Sequence, residues 1–336
     1  MILSKHLYSG ITLCLFCSAS ALADHPTIAF GSEGVGAINT ISSTAIPVGS
    51  WGFGVRSEII NSDEFNTEQL ENFAANGLEG VHSIDRITNT SFSLIYGATE
   101  NMSISARLPY IKRENIREGE LEEGLPEAHT HGNSSGVGDL LLLGQYRVMK
   151  RSSFDTSILF GMKTPTGETD IRDDDGIRFE TEFQPGSGSW DYLLGVSISH
   201  SSGNFGYHSN VLYNKTKEGS QSTEIGDAIS YNAALTYRLN DSHATHGHKH
   251  IGASDANGLT WDISIELNGE ARRKNKISRV SEDNSGGTTI YISPGLRVSS
   301  KNFSGFISYG IPVKEDQNGV QTDIHSRIVA GFSLAL

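Results

Sequence analysis

Apolar and polar residues alternate along most of the chain. Near its end, Ile324 and Ile328 fall on one face while Arg327 falls on the other, and residues 229–239 and 259–268 repeat the pattern. Successive side chains of a β-strand point to opposite faces of the sheet, so this period of two predicts strands with one apolar and one polar face.

The length of these runs favours a membrane barrel over a soluble β-sandwich. They extend over roughly 10 to 15 residues, longer than the usual ~5–6 residues of soluble strands and suited to tilted transmembrane strands. About 12 runs occur, and they begin near Trp51, Ile84, Asn101, Gly136, Ser153, Gly188, Asn204, Gly226, Leu259, Thr288, Lys301 and Val320. The predicted fold class is therefore all-β, a transmembrane antiparallel β-barrel of about 12 strands formed by residues 51–336.

The connections between the runs alternate between short turns and long polar stretches. Outer-membrane barrels have short periplasmic turns and longer external loops, so the long stretches are predicted to be external. They comprise residues 61–81, 113–135, 166–187, 215–225, 274–284 and 314–319. Residues 67–75 predict a short helix in the first stretch, with Thr67 as its N-cap. Residues 240–258 are an exception, because this long connection falls on the periplasmic side.

Residues 1–23 have the pattern of a secretory signal peptide. Lys5 precedes an apolar run over residues 11–22, and small residues at its end suit cleavage. The run is shorter than the about 20 residues of a membrane-spanning helix. Because Cys14 and Cys17 both lie in this leader, the mature chain is predicted to have neither a disulfide nor a cysteine-based metal site.

Residues 24–50, between this leader and the first strand, are rich in glycine and serine. They could fold into the lumen of the barrel as a plug. They could equally remain a flexible periplasmic lead-in, since chain termini are mobile unless they are tied down. The residue pattern leaves both interpretations open.

Composition supports an exported barrel and narrows its partners. The chain has 37 glycines, 8 prolines and a mean hydropathy of -0.28, as expected when strands alternate apolar and polar residues. Its formal net charge of -13 argues against nucleic acid as a partner. The predicted location is the bacterial outer membrane, with outer-membrane lipid, the barrel-assembly machinery and a small-molecule solute as partners.

Five stretches of the chain resemble an outer-membrane protein family named for the MetA-pathway of phenol degradation, whose members are often called transporters. They are residues 36–54, 101–110 (NMSISARLPY), 138–148 (GDLLLLGQYRV), 161–167 (GMKTPTG) and 184–194 (QPGSGSWDYLL). The resemblance implies a barrel in the outer membrane that handles aromatic or other apolar compounds. The chain departs from such barrels by ending in Leu336 rather than an aromatic residue, and by its histidine-rich insert.

Charged residues on the polar faces of the strands are predicted to line the lumen. A charged side chain that faces lipid costs about 2–4 kcal/mol near the midplane, so these residues should point inward. They either form a polar path for a solute or pair with one another and fill the lumen, because 12 strands lie between filled and open barrels. The predicted lumen residues are Arg56, Arg107, Arg147, Arg238, Asp262, Glu266, Arg297, Asp323 and Arg327.

Histidines are the candidate metal ligands. Four fall in one short stretch of the 240–258 connection: His243, His246, His248 and His250. Neutral imidazole binds zinc and copper, so the stretch predicts a loose metal site, with a solvated turn of no function as the alternative. His129 and His131, on an acidic stretch predicted to be external, are a weaker candidate for metal or calcium capture.

No catalytic site is predicted. Some 12-stranded outer-membrane barrels are phospholipases with a His/Ser pair, and His200 and Ser202 share one face. This pair lies at a short periplasmic turn without an orienting residue beside it. The predicted function is to pass or capture small molecules, aromatic or other apolar compounds among them. The alternatives are a metal-linked channel or sensor that uses the histidine-rich loop, and a structural or adhesive barrel.

Overall fold

The computed structural model describes residues 37–78, 80–151, 153–239, 259–300 and 302–336. The predicted signal peptide and the four clustered histidines of residues 243–250 lie outside this range. Among the residues described, no helix is both long and apolar enough to span a membrane.

Long antiparallel strands dominate the described chain. In chain order the elements are β1 (Trp51–Asp63), α1 (Thr67–Ala75), β2 (His82–Ser83), β3 (Arg86–Thr99), β4 (Met102–Glu122), β5 (Leu125–Val137), β6 (Leu141–Lys150), β7 (Phe154–Lys163), β8 (Asp191–Ser202), β9 (Phe205–Lys215), the 3-10 turn η1 (Ser220–Ser222), β10 (Thr223–Glu224), β11 (Ala228–Arg238), β12 (Thr260–Arg272), β13 (Lys276–Ile277), β14 (Val280–Ser281), β15 (Gly287–Ser299), β16 (Phe303–Gln317) and β17 (Asp323–Ala335).

These strands form a closed antiparallel barrel with 12 strand positions, which confirms the predicted fold class. The sheet closes because β1 pairs with β3 on one side and with β17 on the other. β5 and β6 both pair with β4, one after the other along its length, and together they count as one of the 12 positions. Val137 of β5 pairs with Tyr110 of β4, and Leu141 of β6 pairs with Arg107 of β4.

The two ends of the barrel differ. At one end, here called the turn end, a few residues join β3 to β4, β6 to β7, β8 to β9 and β15 to β16. At the opposite end, the loop end, lie α1, the β4–β5 hairpin and the long connection of residues 164–190. This asymmetry is typical of outer-membrane barrels, in which the longer loops face outward.

The outer face of the barrel is apolar, and the inner face is polar. In β12, Trp261, Ile263 and Ile265 are exposed outward, whereas Asp262 and Glu266 are buried inside. Such alternation gives lipid an apolar surface and keeps charges away from it.

Aromatic side chains mark both edges of the apolar band. Trp51 stacks on Tyr96 at the turn end with ring centroids 4.5 Å apart, and Trp261 lies at the same end. Tyr110 and Tyr213 are exposed nearer the loop end. Aromatic girdles at these levels are characteristic of barrels that span the outer membrane.

Residues 113–135, predicted to be an external loop, lie at the loop end but form a β-hairpin. β4 runs on to Glu122 and β5 starts at Leu125, with Glu123 and Gly124 at φ values of 51° and 83° in the turn. Positive φ at both central residues suits a tight hairpin. The hairpin extends beyond the apolar band of the barrel, where neither face needs to be apolar. The period of two that reveals the other strands is therefore missing here.

Helix α1 has the predicted bounds but a different N-cap. The side chain of Asn66, not Thr67, accepts a hydrogen bond from the backbone N–H of Gln69 at 2.9 Å. The Gln69 side chain in turn accepts from the backbone N–H of Asn66 at 2.9 Å. This reciprocal capping box satisfies two backbone donors that the first turn leaves unpaired.

Asp323 does not lie in the lumen as predicted. It is exposed at the loop end of β17, whereas its neighbour Ile324 is buried inside. The register between β1 and β17 passes from Ser326 to Ile324 and skips His325, which is a β-bulge. Because a bulge adds one residue to one strand, it reverses which side chains point inward beyond it. The strict alternation assumed from the sequence therefore fails in this part of β17.

Candidate functional site: an occupied lumen and its loop-end cap

The inside of the barrel is occupied by a stretch of its own chain. Residues 37–46, here called the lumen segment, precede β1, and their side chains are buried up to Ser43. The segment reaches across the barrel to β6, where the Gln145 side chain donates to the carbonyl oxygen of Ser42 at 3.0 Å. An irregular segment can sit at membrane depth because it is enclosed by protein and its polar groups find partners there.

Glu266 holds the start of the lumen segment. Its carboxylate accepts hydrogen bonds from the backbone N–H groups of Ile38 at 2.5 Å, Asn39 at 3.0 Å and Thr40 at 2.9 Å. The Thr40 hydroxyl donates a further bond at 2.7 Å. Successive backbone N–H groups that converge on one point form an anion-binding site. Here the buried carboxylate of Glu266 supplies the anion and is satisfied by these donors.

Three of the predicted lumen arginines also donate to this segment. Arg56 donates to the side-chain oxygen of Asn39 at 2.7 Å, and Arg327 to the same oxygen at 3.4 Å. Arg297 donates to the carbonyl oxygen of Ala37 at 2.6 Å. The charged wall of the lumen, on β1, β12, β15 and β17, therefore binds the lumen segment rather than facing open water.

The opposite wall is apolar. Ile41 of the lumen segment packs in a buried cluster with Leu141, Leu159, Leu193 and Leu212. These four leucines lie on β6, β7, β8 and β9, and we call them the leucine wall. Inward leucines on adjacent strands are unexpected in a barrel whose lumen is otherwise polar.

Hydrogen bonds to uncharged side chains also hold the lumen segment on this side of the barrel. The backbone N–H of Ile41 donates to the Asn210 side chain at 2.8 Å, and that of Ser43 donates to the Ser199 hydroxyl at 3.0 Å. The Ser157 hydroxyl donates to the carbonyl oxygen of Ser43 at 2.6 Å. Small hydroxyl side chains here let the backbone of the segment approach the strands closely.

A second apolar cluster closes the loop end. Phe179 and Phe183, from the connection of residues 164–190, are buried in one cluster with Ile84, which lies between β2 and β3. The cluster also contains strand residues Ile60, Ile87, Ile111, Ile116, Tyr291 and Ile324. We call this set the loop-end cap. Arg113 fixes the connection over the barrel by donating to the carbonyl oxygen of Phe183 at 3.2 Å.

Two small cavities lie beside these contacts. A cavity of about 30 Å³ lies next to His82 and Phe183, and another of about 10 Å³ lies between Glu58 and Tyr291. Cavities of this size hold a few water molecules at most. Neither of these two cavities is large enough for a solute to pass while the lumen segment and the cap stay in place.

A polar cluster lies on the outer side of the cap, beyond the apolar band. His82 of β2 contacts Glu118 of β4, with 2.9 Å between Nε2 and the carboxylate. Burial alone would lower the pKa of His82, but the hydrogen bond and charge of Glu118, with Glu182 and Glu180 nearby, raise it to about 9. Burial would raise the pKa of Glu118, yet hydrogen bonds from His131 and His82 lower it to about 2.

Comparison with known protein families identifies the family of this barrel. The family model described as "Putative MetA-pathway of phenol degradation" matches residues 72–311. The chain belongs to this family. The match confirms the resemblance noted in the sequence. Comparison with curated proteins finds no match.

Three solved structures are similar to this family member. An outer membrane channel from Pseudomonas putida F1 is similar with a TM-score of 0.55 and 17% identity, over 88% of this chain and 98% of that chain. LpxR from Salmonella typhimurium has a TM-score of 0.42 and 11% identity, over 84% and 99%. The toluene transporter TbuX from Ralstonia pickettii has a TM-score of 0.40 and 10% identity, over 86% and 90%.

The other predicted lumen residues of this family member lie away from the lumen segment contacts. Arg107 is buried on the inner face of β4. Arg147 is near the turn end, where it donates to the carbonyl oxygen of Glu100 at 2.6 Å. Arg238 pairs with Asp262 at 2.8 Å at the same end. Within the predicted set, Arg56, Glu266, Arg297 and Arg327 therefore hold the lumen segment, whereas Arg147, Arg238 and Asp262 contact residues at the turn end of the wall.

Sequence reasoning missed the residues that form the loop-end cap. Phe179 and Phe183 lie in a stretch predicted to be a polar external loop, and two aromatic residues four positions apart were the available signal. The predicted metal ligands His243, His246, His248 and His250 lie outside the described residues, so zinc or copper binding there stays a prediction. His200 is exposed on the outer face of β8.

We expect Glu315→Gln to stabilise the barrel at pH 8 but not at pH 5. Glu315 lies beyond Val313, the last exposed apolar residue of β16. Burial raises the pKa of Glu315 to about 7, and the charges of Asp323 and Asp63 act in the same direction. The hydrogen bond from the backbone N–H of Ile324 opposes this shift.

The sign follows from proton linkage. Between pH 4.5 and 7 the folded chain keeps a proton on Glu315 that the unfolded chain loses, so this group makes stability fall as the pH rises through that interval. Gln removes the titration and keeps a side-chain oxygen for Ile324. Thermal unfolding in detergent measures the effect, and an equal shift in melting temperature at both pH values would contradict it.

Proposed function

We propose that this chain is a channel of the bacterial outer membrane that admits small apolar compounds, aromatic ones included. The observation that carries the proposal is the apolar lining of the lumen, formed by the leucine wall and the loop-end cap. Outer-membrane channels for polar solutes have polar interiors, so such a lining favours an apolar solute. The family description, which refers to phenol degradation, and the likeness in fold to an outer membrane channel support it.

The two apolar clusters occupy successive levels of the barrel. Leu141 of the leucine wall pairs with Arg107 of β4, and Ile111 of the cap lies further along β4 toward the loop end. An apolar solute that enters among the cap residues therefore meets the leucine wall next. Apolar surface that is already dry offers such a solute a favourable environment with little loss of hydration.

The lumen segment acts as the gate in this proposal. It covers the leucine wall through Ile41 and is held from the charged side by Glu266. A solute that replaces Ile41 against the leucines would compete directly for the apolar surface. Release of the segment from Glu266 then opens the way toward the turn end.

We further infer that the barrel spans the outer membrane with its turn end in the periplasm. The apolar outer face and its aromatic edges suit contact with outer-membrane lipid, and the longer connections suit the external side. A barrel of this kind reaches the membrane through the barrel-assembly machinery, which is the other partner of the proposal.

Uptake of toluene by cells tests the proposed function. In a strain whose other channels are deleted, expression of the protein should speed the initial uptake of labelled toluene but not of a labelled disaccharide. Leu212→Asn, which puts a polar amide with the same branched shape into the leucine wall, should lower toluene uptake roughly tenfold, as expected for about 1.4 kcal/mol of lost apolar contact.

Leu235→Asn is the matched control, because Leu235 is exposed on the outer face of the barrel. Both variants should keep the heat-dependent shift on gels that reports a folded barrel. If the protein speeds toluene uptake no more than an empty vector does, the proposal is wrong. Equal loss in both variants would show that the leucine wall is not the path.

A further inference from the structure

A cluster of carboxylates and imidazoles lies at the loop end, away from the lumen. Glu118 and Glu120 lie on β4, and His131 lies on β5, the other strand of the same hairpin. Asp173 reaches the hairpin from the connection of residues 164–190. The cluster is independent of the gate and the leucine wall.

Three of these side chains converge on one point. The Nε2 atom of His131 lies 3.6 Å from a carboxylate oxygen of Glu118 and 3.4 Å from one of Glu120. Ligand atoms bound about 2.0–2.2 Å from a tetrahedral zinc ion lie roughly 3.3–3.6 Å from one another. Both distances from His131 match that spacing, and all three ligand atoms lie within 4.8 Å of one another.

The opposite ring nitrogen of His131 is held as well. Its Nδ1 atom lies 3.4 Å from an oxygen of Asp173, whose side chain is 3% exposed. Asp173 is fixed in turn by the backbone N–H groups of Asp175 and Ile177, at 3.1 Å and 2.7 Å from its other oxygen. A carboxylate that accepts from one ring nitrogen leaves the other as a lone-pair donor, which is the usual arrangement of a metal-binding histidine.

Glu118 is also pre-positioned. His82 contacts the same carboxylate oxygen at 2.9 Å, and the backbone N–H of Gly80 donates to the other oxygen at 3.2 Å. These contacts fix the carboxylate without using all of its lone pairs, since each oxygen can accept more than one bond.

We propose that Glu118, Glu120 and His131 bind a divalent transition metal ion, with Asp173 orienting the imidazole. One nitrogen and two carboxylate oxygens suit Zn²⁺, whereas Ca²⁺ and Mg²⁺ take oxygen ligands only. Three protein ligands leave a fourth position for water. Glu120 is nearly half exposed, with 46% of its side chain accessible, so the site is open to the external medium.

The bound ion would add side-chain links between parts of the loop end that already meet through backbone hydrogen bonds. It joins β4 to β5 directly, and through Asp173 it joins the hairpin to the connection that carries Phe179 and Phe183. Metal binding to the folded state alone stabilises that state. We therefore expect the ion to hold the loop-end cap in place.

Calorimetry with Zn²⁺ on the full chain in detergent tests this site. The four histidines at 243, 246, 248 and 250 are first replaced by Ala, so that this stretch cannot contribute. After chelator treatment and dialysis, this background should bind one Zn²⁺ at micromolar concentration. His131→Ala and Glu120→Gln should each weaken the binding at least tenfold, and Asp173→Asn should weaken it by roughly tenfold.

His325→Ala is the matched control, because His325 also pairs with a carboxylate at the loop end, Asp63 at 3.2 Å. It should leave Zn²⁺ affinity unchanged. Glu120 is exposed enough that its replacement should leave the barrel folded, so loss of binding in Glu120→Gln with an intact gel shift supports the site. Unchanged affinity in that variant, or no Zn²⁺ binding by the background below millimolar concentration, would show that the cluster consists of ion pairs alone. If this inference alone fails, the protein still speeds toluene uptake and the replacements leave that rate unchanged. Failure of the metal site can therefore be distinguished from failure of the proposed function.

Discussion

Replacing Glu266 by Ala should turn an almost silent barrel into a conducting one. Three backbone N–H groups and one hydroxyl of the lumen segment donate to this carboxylate. Hydrogen bonds to a charged group contribute about 1.5–3 kcal/mol, and buried donors without a partner are costly. A loss of about 3 kcal/mol would raise the ratio of released to bound segment roughly 100-fold. Planar bilayer recordings should then show frequent conductance steps that are rare in the unaltered protein.

Glu270→Ala provides the matched control for this experiment. Glu270 lies on the same strand and also faces inward, but it pairs with Arg272 at 2.7 Å rather than with the lumen segment. Its replacement also removes one negative charge, so it controls for a change in the electrostatic potential of the lumen. Equal conductance in the two variants would mean that Glu266 does not hold the gate.

The strands that touch lipid could be predicted from the sequence, because the membrane imposes an apolar residue at every second position. The predicted starts at Trp51, Asn204 and Leu259 lie within a residue of the observed ones. The β4–β5 hairpin could not be predicted in the same way. Both of its faces lie outside the membrane, so Glu118 and His131 alternate with other polar residues and no period is visible.

The inward orientation of most lumen charges was predictable, but their partners were not. Charged residues in a strand are predicted to lie on the inner face of the barrel, because lipid excludes ions. This reasoning applies to Arg56, Glu266 and Arg297. Their partners lie in residues 37–46. This stretch has no hydrophobic period, so the sequence alone leaves both the plug and the lead-in interpretation open. Contacts between segments more than two hundred positions apart, such as Thr40 and Glu266, depend on barrel closure.

Replacing Phe183 by Ala should release the loop-end connection while the barrel remains folded. The Phe183 ring is 3% exposed and packs within the loop-end cap, where loss of a buried phenylalanine costs about 3–5 kcal/mol. The barrel strands beneath the cap are held by their own backbone hydrogen bonds. The loss of stability is therefore confined to the connection of residues 164–190. Trypsin should therefore cut after Arg172 or Arg178 far faster than in the unaltered protein, as mass spectrometry of the fragments would show.

Phe205→Ala is the appropriate comparison, because Phe205 is 64% exposed on the outer face at the turn end. It should leave both cleavage sites as resistant as before. The gel shift on heating should persist in both variants, since it reports the barrel wall. Cleavage at equal rates in the two variants would mean that the cap is not held by Phe183. Loss of the gel shift in the Phe183 variant alone would mean that the cap and the barrel fold as one unit, contrary to the separate roles argued from their contacts.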